Sequence, residues 1–284
     1  MKDNYFKSKF LINCKGKLIN LSIPKTMGII NATPDSFYDG GKNNSVKNAT
    51  ELAEKHMRDG ATFLDIGGFS SRPGGENIDS KIEIERIIPI IKSINKRIPE
   101  AIISVDTFRH EVARAALNEG ASLINDISAW ELDNNLFNLI KEFKVPYILM
   151  HMKGKPSNMQ KNPQYKNIIE ELILYFSLKI QQLNLNGIKD VIIDPGFGFG
   201  KNINHNFTIL NDLNELSILD KPILVGLSRK SMIYKPLKTN SLNSLNGTTA
   251  LNMLALENGA KILRVHDIKE AQDCIELNNI LPFK

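Results

Sequence analysis

The chain has 284 residues, a formal net charge of +5, 42% hydrophobic residues and 24% charged residues. This is the composition of an ordinary globular protein, and it excludes a collagen, a long coiled coil and wholesale disorder. No run of five or six basic residues occurs, so we expect no nucleic-acid partner, whereas the mild positive charge suits small anionic substrates.

The chain carries two cysteines, Cys14 and Cys274, which indicates free thiols in a reducing cytoplasm rather than a disulfide framework. The apolar run at residues 10–12 is too short for the core of a signal peptide. No stretch approaches the roughly 18 apolar residues of a membrane span. We therefore expect a cytoplasmic protein that does not bind membranes.

Short apolar runs alternate with longer amphipathic stretches along most of the chain. Three amphipathic stretches, at residues 47–59, 109–119 and 248–258, each lead into a glycine of the type that ends helices, namely Gly60, Gly120 and Gly259. The apolar runs predict eight buried strands that close at residues 31, 65, 106, 125, 150, 194, 226 and 265.

Eight strands alternating with helices favour a (β/α)8 barrel formed by one domain over residues 1–284. A doubly wound open sheet is the alternative, but no Gly-x-Gly-x-x-Gly follows the first strand, which weakens a dinucleotide-binding interpretation. Residues 235–246 are polar and rich in turn formers, so we expect a long loop there.

Three polar acceptors close predicted central strands: Asp106, Asn125 and Asp194. In a barrel the carboxyl ends of the strands form the active-site face, so these side chains should meet there. Carboxylates accept from a ring N–H and an exocyclic amine, and an amide both donates and accepts, so this set suits a heteroaromatic ring. The structural alternative is that each residue caps the following helix.

Cationic and polar groups follow the last two predicted strands. Ser228 is expected to be a helix N-cap, with Lys230 and Ser231 in the first turn, where an anion binds well. Arg264 and His266 close the last strand, and with Asn31 they could bind a phosphate or pyrophosphate. The alternatives are a solvated Lys230 and a purely structural His266.

Two glycine-flanked segments, residues 33–41 and 67–75, could act as lids or as rigid surface turns. Residues 194–201 are glycine-rich but lack the spacing of a Walker loop, so Phe199 is interpreted as an apolar wall. Met150 is expected to pack against a flat ring, and no role is assigned to the adjacent His151. The other histidines show no metal-ligand spacing.

The motifs together closely resemble those of the dihydropteroate synthases, pterin-binding enzymes of folate biosynthesis. The resemblance runs in order from residue 27 to residue 267. It is carried by the segments at residues 27–31, 33–41, 104–107, 124–127, 194–201, 228–232 and 264–267.

The resemblance implies a (β/α)8 barrel, usually a homodimer. It also implies an enzyme that joins 6-hydroxymethyl-7,8-dihydropterin pyrophosphate to p-aminobenzoate with release of pyrophosphate. Sulfonamides mimic p-aminobenzoate in this family. The implied catalytic residues are Asp106, Lys230, Arg264 and His266.

The resemblance also assigns the substrate contacts. The pterin would contact Asp106, Asn125, Met150, Asp194, Gly226 and Lys230. The pyrophosphate would contact Asn31, Arg264 and His266, with Mg²⁺ on Asn31. The p-aminobenzoate would contact Phe37, Ser71, Arg72, Pro73, Phe199 and Ser231.

The implied reaction begins with departure of pyrophosphate, whose charge is stabilised by Arg264, His266 and the metal. Asp106 would stabilise the remaining dihydropterin cation, which the aryl amine attacks. Closed lids would exclude the water that competes for the cation. No covalent enzyme intermediate is needed, which agrees with the lack of an activated Ser or Cys in the motifs.

The chain departs from the family pattern at three places. Phe69 stands where the family usually has Glu, Ser71 where it has Thr, and Asn243-Ser244 where it often has Glu-Arg. Two other functions remain as alternatives: a pterin-dependent methyltransferase, and an inactive paralogue that binds pterin. The first would not need the anion-binding residues, and the second would not release pyrophosphate.

Overall fold

The computed structural model describes residues 10–32, 41–69 and 78–281, with side chains described from residue 45 onward in the second range. A hairpin of two strands, β1 (Leu11–Cys14) and β2 (Lys17–Asn20), precedes the remaining elements. Eight parallel strands then form a closed barrel: β3 (Lys25–Asn31), β4 (Phe63–Gly67), β5 (Ile102–Asp106), β6 (Leu123–Asp126), β7 (Tyr147–Met150), β8 (Val191–Asp194), β9 (Ile223–Val225) and β10 (Ala260–Val265).

Helices connect the strands and cover the outside of the barrel. They are α1 (Gly41–Arg58), α2 (Ser80–Arg97), α3 (His110–Asn118), α4 (Asn135–Phe143), α5 (Ile168–Leu185), α6 (Ile203–Asn211), α7 (Ser231–Tyr234), α8 (Leu245–Glu257) and α9 (Ile268–Ile280), with a 3₁₀ helix at Leu213–Leu219. Of the helices that the structure describes, none is sufficiently long and apolar to cross a membrane.

The predicted (β/α)8 barrel is confirmed, and the open sheet is wrong. The barrel closes where β10 pairs with β3, with Val265 opposite Gly28. Each strand ends within two residues of its predicted end. The helix-ending glycines are confirmed too, since Gly60, Gly120 and Gly259 adopt φ of +99°, +108° and +97°. The predicted loop at residues 235–246 is shorter than expected, because α8 begins at Leu245.

Alternation along the strands separates two cores. Outward residues such as Ile30, Leu64 and Ile103 pack against the helices in the larger core. Inward residues near the start of the strands form a second cluster, contributed by every barrel strand: Met27, Phe63, Ile102, Leu123, Ile148, Ile192, Leu224 and Ile262. The polar inward residues therefore lie at the carboxyl ends of the strands.

The hairpin covers the amino-terminal end of the barrel. Ile12, Cys14 and Ile19 belong to the inner cluster, and all three are buried. Lys15 and Gly16 join the strands with φ of +49° and +88°, the left-handed pair that a two-residue type I′ turn requires. Our sequence analysis missed this hairpin, because Lys-Gly is not one of the pairs, such as Asn-Gly or Asp-Gly, that usually mark a type I′ turn.

We predict that Ile12→Ala lowers the free energy of unfolding by about 2–5 kcal/mol, because it removes buried methyl groups and leaves a cavity. Leu11→Ala is the matched control, since Leu11 is 47% exposed on the opposite face of β1. We expect it to change stability by less than about 0.5 kcal/mol. Urea unfolding measures both variants. Equal effects would show that the hairpin does not seal the barrel.

Candidate active site

Polar side chains gather at the carboxyl end of the barrel because alternation turns every second residue inward. On β4, β5 and β6 the inward positions following the apolar cluster include Asp65, Asp106 and Asn125. Across the barrel the corresponding positions are Asp194 on β8 and Arg264 on β10. The strand order around the barrel places β10 next to β3 and β4 next to β5, so these groups form a continuous polar floor.

Arg264 connects two carboxylates of this floor. Its Nε donates to Asp65 Oδ2 at 2.6 Å and its Nη2 donates to Asp106 Oδ2 at 2.7 Å. Asn125 Nδ2 donates to the same Asp65 oxygen at 2.9 Å. Among the described residues Nη1 of Arg264 has no hydrogen-bond acceptor. The guanidinium is thus held in one orientation with donors still available for a ligand.

The ionisable side chains of the floor have strongly shifted pKa values. Burial raises the pKa of Asp106 to about 7, with Arg264 opposing the rise and Asp65 adding to it. Burial alone would lower the pKa of Arg264, but the two carboxylates outweigh it and the pKa lies above its usual range. Asp65 is fully buried, and within the described part of the chain its Oδ1 has no partner. Groups perturbed in this way are common in active sites.

Asp194 and Lys230 are a second carboxylate and cation at this floor, and each shifts the pKa of the other. Asp194 Oδ1 accepts from the backbone N–H of Gly196 at 2.7 Å, and burial raises the pKa of this carboxyl while Lys230 opposes the rise. Burial lowers the pKa of Lys230 to about 8, and Asp194 limits the decrease. Lys230 Nζ donates to the carbonyl of Phe197 at 2.5 Å and lies 4.9 Å from the centre of the Phe199 ring.

None of the three predicted acceptors is a helix cap. The N-cap positions of α3, α4 and α6 are Arg109, Asn134 and Asn202. Asp106, Asn125 and Asp194 instead make the contacts of the floor. The structural alternative considered for them from the sequence is therefore wrong.

The prediction that Ser228 caps a helix is also wrong. Helix α7 begins at Ser231, and Lys230, expected in its first turn, occupies the N-cap position without a side-chain cap bond. Ser228 Oγ lies 3.0 Å from Nδ1 of His266 and accepts from the His266 backbone N–H at 3.3 Å. The serine thus positions the histidine, because β9 and β10 are neighbouring strands.

Arg229 holds this part of the site together. It has a left-handed backbone, with φ of +57°, and its guanidinium makes two 2.8 Å hydrogen bonds to the Asp267 carboxylate. It also donates to the carbonyls of Ser241 and Leu242. The residues on either side, Ser228 and Lys230, are consequently fixed beside the floor.

The structure describes most of the predicted ligand contacts. Met150 and Gly226 are buried at the ends of β7 and β9, and Phe199, Ser231, Asn31 and His266 are partly exposed. Four residues predicted to contact p-aminobenzoate lie outside the described residues: Phe37, Ser71, Arg72 and Pro73. Both predicted lid segments lie largely there as well.

Sequence reasoning missed two parts of the site. Asp65 was placed at a strand end but received no role, although its position matched that of Asp106. Lys201 and His151 form a buried pair, with Lys201 Nζ 2.9 Å from His151 Nδ1. The only signals were a lysine at the end of a glycine-rich run and a histidine at a strand end. Neither signal reveals a contact between residues that are 50 positions apart.

Two departures from the family pattern have structural explanations. Phe69 packs edge-on against Phe108 at 5.4 Å, and the Arg109 guanidinium lies over both rings. Arg109 also pairs with the fully buried Glu83 and donates to the carbonyl of Ile78. An aromatic residue at position 69 thus contributes a cation–π contact to this cluster.

The second departure lies just before α8. Ser244 is fully buried, and its hydroxyl donates to the carbonyl of Ser241 at 2.8 Å. Its own carbonyl accepts from Thr248 Oγ1, which in turn accepts from the Arg229 backbone N–H. Ser244 therefore supports the loop that carries Lys230.

Comparison with known proteins gives consistent results. Residues 27–266 match the family described as pterin binding enzyme. The dihydropteroate synthase of Haemophilus influenzae is 40% identical over 263 residues, which cover 92% of this chain and 95% of that protein.

Solved structures of the same kind superpose closely. The dihydropteroate synthase of Xanthomonas albilineans with 4-aminobenzoic acid gives a TM-score of 0.90 at 35% identity, covering 97% of this chain and 100% of that chain. The Yersinia pestis enzyme with a sulfonamide drug gives a TM-score of 0.89 at 36% identity, covering 95% and 98%.

We predict that the Asp106 carboxyl titrates near pH 7, and that Arg264→Met raises its pKa further because a neighbouring cation is lost. In the unfolded chain the pKa of this carboxyl is about 3.9. Between about pH 4 and pH 7 the folded state therefore binds a proton that the unfolded state has lost. The contribution of Asp106 to stability therefore decreases as the pH rises from about 4 to 7.

Carbon-13 NMR of labelled aspartate carboxyls measures this titration. Arg114→Met, at an exposed ion pair with Glu142, is the control and should leave the midpoint unchanged. A wild-type midpoint below pH 5, or no increase in Arg264→Met, would contradict the prediction.

Proposed function

The chain belongs to the pterin-binding enzyme family, and from this membership we propose that it acts as a dihydropteroate synthase. It joins 6-hydroxymethyl-7,8-dihydropterin pyrophosphate to p-aminobenzoate, giving 7,8-dihydropteroate and pyrophosphate. The observation that carries the proposal is the floor in which Arg264 is held by Asp65 and Asp106, beside Asp194 and Lys230. Such a floor provides acceptors for a ring edge and cations for an anionic leaving group.

The pterin ring has ring N–H groups and an exocyclic amine along one edge, and carbonyl and ring-nitrogen acceptors elsewhere. Asp194 accepts from the donor edge, and Asn125 and Lys230 donate to the acceptors. Met150 and Gly226 provide the surface against which the flat ring packs.

The pyrophosphate binds at the side of the mouth formed by β10 and β3. Arg264 donates through Nη1, which has no acceptor among the described residues, and His266, held by Ser228, donates from its ring. Because Arg264 is already oriented by two carboxylates, it needs little reorganisation as charge develops on the leaving group.

Mg²⁺ fits this site as an ion that arrives with the substrate. Asn31 supplies one amide oxygen at the partly exposed end of β3, and the described residues contain no cluster of three acidic, histidine or cysteine ligands. Mg²⁺ commonly binds through one or two protein oxygens together with substrate phosphates and water. When bound, the ion neutralises charge on the pyrophosphate.

The reaction breaks the bond between the pterin methylene carbon and the pyrophosphate oxygen, and then forms a carbon–nitrogen bond. Asp106 lies on the floor, bonded to Arg264, and its carboxylate would stabilise the positive charge that develops on the pterin. The aryl amine attacks the methylene carbon, and the proton of the resulting ammonium passes to the released pyrophosphate or to water. No residue needs to form a covalent bond to the substrate.

p-Aminobenzoate binds above the floor against Phe199, with Ser231 offering a hydroxyl and a backbone N–H to its carboxylate. Phe37, Ser71, Arg72 and Pro73 complete this subsite. Sulfonamides compete there because they resemble the aryl amine. We further propose that the enzyme is a cytoplasmic homodimer, as the family usually is.

A methyltransferase or an inactive pterin-binding paralogue is not favoured. Neither function requires Arg264 and His266 to be oriented together at the mouth of the barrel. The three proteins compared above are all named as dihydropteroate synthases.

Release of pyrophosphate tests the proposal directly. Purified protein is mixed with Mg²⁺ and the dihydropterin pyrophosphate, with and without p-aminobenzoate. We expect release that depends on p-aminobenzoate, with dihydropteroate formed in equal amount. Tight pterin binding without release would indicate the inactive paralogue.

We predict that Arg264→Met lowers kcat/KM by about 10²–10³-fold, because it leaves two buried carboxylates without their cation and removes a donor to the leaving group. The surface variant Arg114→Met should keep wild-type kinetics. Near-normal turnover of Arg264→Met in the same assay would remove Arg264 from the proposed mechanism.

A further inference from the structure

A buried lysine, Lys201, contacts the backbone of Phe199, the residue against which p-aminobenzoate is proposed to pack. Lys201 is 2% exposed, and its Nζ has three neighbouring acceptors. These are the Nδ1 of His151 at 2.9 Å, the carbonyl of His151 at 3.3 Å and the carbonyl of Phe199 at 3.0 Å. None of the three is a carboxylate.

The three acceptors match the three protons of an ammonium group. Burial, with smaller contributions from Lys201 and Lys153, lowers the pKa of His151 to about 2, so the imidazole is neutral and can accept at Nδ1. Burial also lowers the pKa of Lys201 to about 7, while Asp194 opposes the decrease. The charged lysine therefore depends on these hydrogen bonds.

Lys201 ends the glycine-rich segment at residues 194–201, whose glycines make its backbone intrinsically flexible. Gly196, Gly198 and Gly200 all have positive φ, between +65° and +83°. A Cβ at Gly196 would collide with the carbonyl of His151, and one at Gly200 with the carbonyl of Lys153. Glycine is required there, but it increases the conformational entropy that folding must overcome.

Side chains from outside the segment compensate for this freedom. The hydroxyl of Tyr165 donates to the carbonyl of Gly200 at 2.9 Å, and Asn206 accepts from the Gly198 N–H at 2.7 Å. Within the segment, Lys201 Nζ donates to the carbonyl of Phe199, whose ring lies beside Lys230. It also joins the segment to the end of β7, directly after Met150.

We propose that Lys201 is a positioning residue for the second substrate: it fixes the Phe199 ring against which p-aminobenzoate packs, through the Phe199 carbonyl and His151. It does not touch the reacting atoms. This inference rests on the proposed function, because it assigns the aryl amine to the Phe199 side of the site.

Lys201→Met tests the inference, since Met preserves most of the buried volume and removes all three donors. We expect the KM for p-aminobenzoate to rise about tenfold or more, the loss of roughly one or two hydrogen bonds. The KM for the dihydropterin pyrophosphate should stay within about twofold. Lys92→Met is the matched control, because Lys92 is an exposed residue of α2 that pairs with Glu119 away from this cluster, and its loss should leave both KM values unchanged.

Phe199→Leu provides a double-mutant cycle with Lys201→Met. If the lysine acts through the ring, the double variant should be no worse toward p-aminobenzoate than Phe199→Leu alone. Additive effects, or an equal rise in both KM values, would overturn the inference. Lys201→Gln, which retains two donors, should recover part of the lost affinity.

The outcomes separate the two proposals. A wild-type enzyme without p-aminobenzoate-dependent release would refute the proposed function itself. An active wild type whose Lys201 variants lower kcat without affecting the KM for p-aminobenzoate would refute only the positioning role. If neither Lys201 variant folds, the lysine is a structural residue and the inference is wrong.

Discussion

The site depends on one interaction, the Arg264 guanidinium held between Asp65 and Asp106. Each carboxylate alone would be a costly buried charge, and the arginine alone would be a mobile cation at the barrel mouth. Together they orient each other, and Asn125 joins the arrangement by donating a hydrogen bond to Asp65. The arrangement spans four strands, β4, β5, β6 and β10, whose residues lie far apart in sequence, so only the closed barrel can assemble it.

Around this centre the chain surrounds each functional group with supporting contacts. Arg229 and Ser228 hold Lys230 and His266 from one side, and Lys201 holds the Phe199 segment from the other. Supporting contacts of this kind reduce the reorganisation that a reaction requires. They also explain why buried lysines with lowered pKa values are tolerated here, because each one satisfies backbone carbonyls in a glycine-rich region.

Much of the fold could be predicted because strand and helix signals were strong. The eight apolar runs and the three helix-ending glycines depend on local periodicity and on φ, which are visible in sequence. The residues Asp106, Asn125, Asp194 and Arg264 were found because a barrel directs strand ends to one face.

The rest depended on pairings that no local pattern records. The prediction that Ser228 caps a helix was wrong because its hydroxyl instead contacts His266 on the neighbouring strand. The roles of Asp65 and Lys201 follow from contacts between residues 50 to 199 positions apart in the chain. The hairpin was missed because only Gly16 of its turn is a usual type I′ residue, and Lys15 is not.

The pairing of β10 with β3 has a consequence for how the protein is made. The first and last barrel strands meet only after the ribosome has produced residue 265, so the barrel cannot close during most of translation. Until then Asp65 and Asp106 lack their cation, and the inner apolar cluster lacks one wall. Nascent chains therefore expose both unpaired charge and unpaired strand edges, the features that make incompletely folded chains prone to aggregation. Closure and the completion of the polar floor are the same late event.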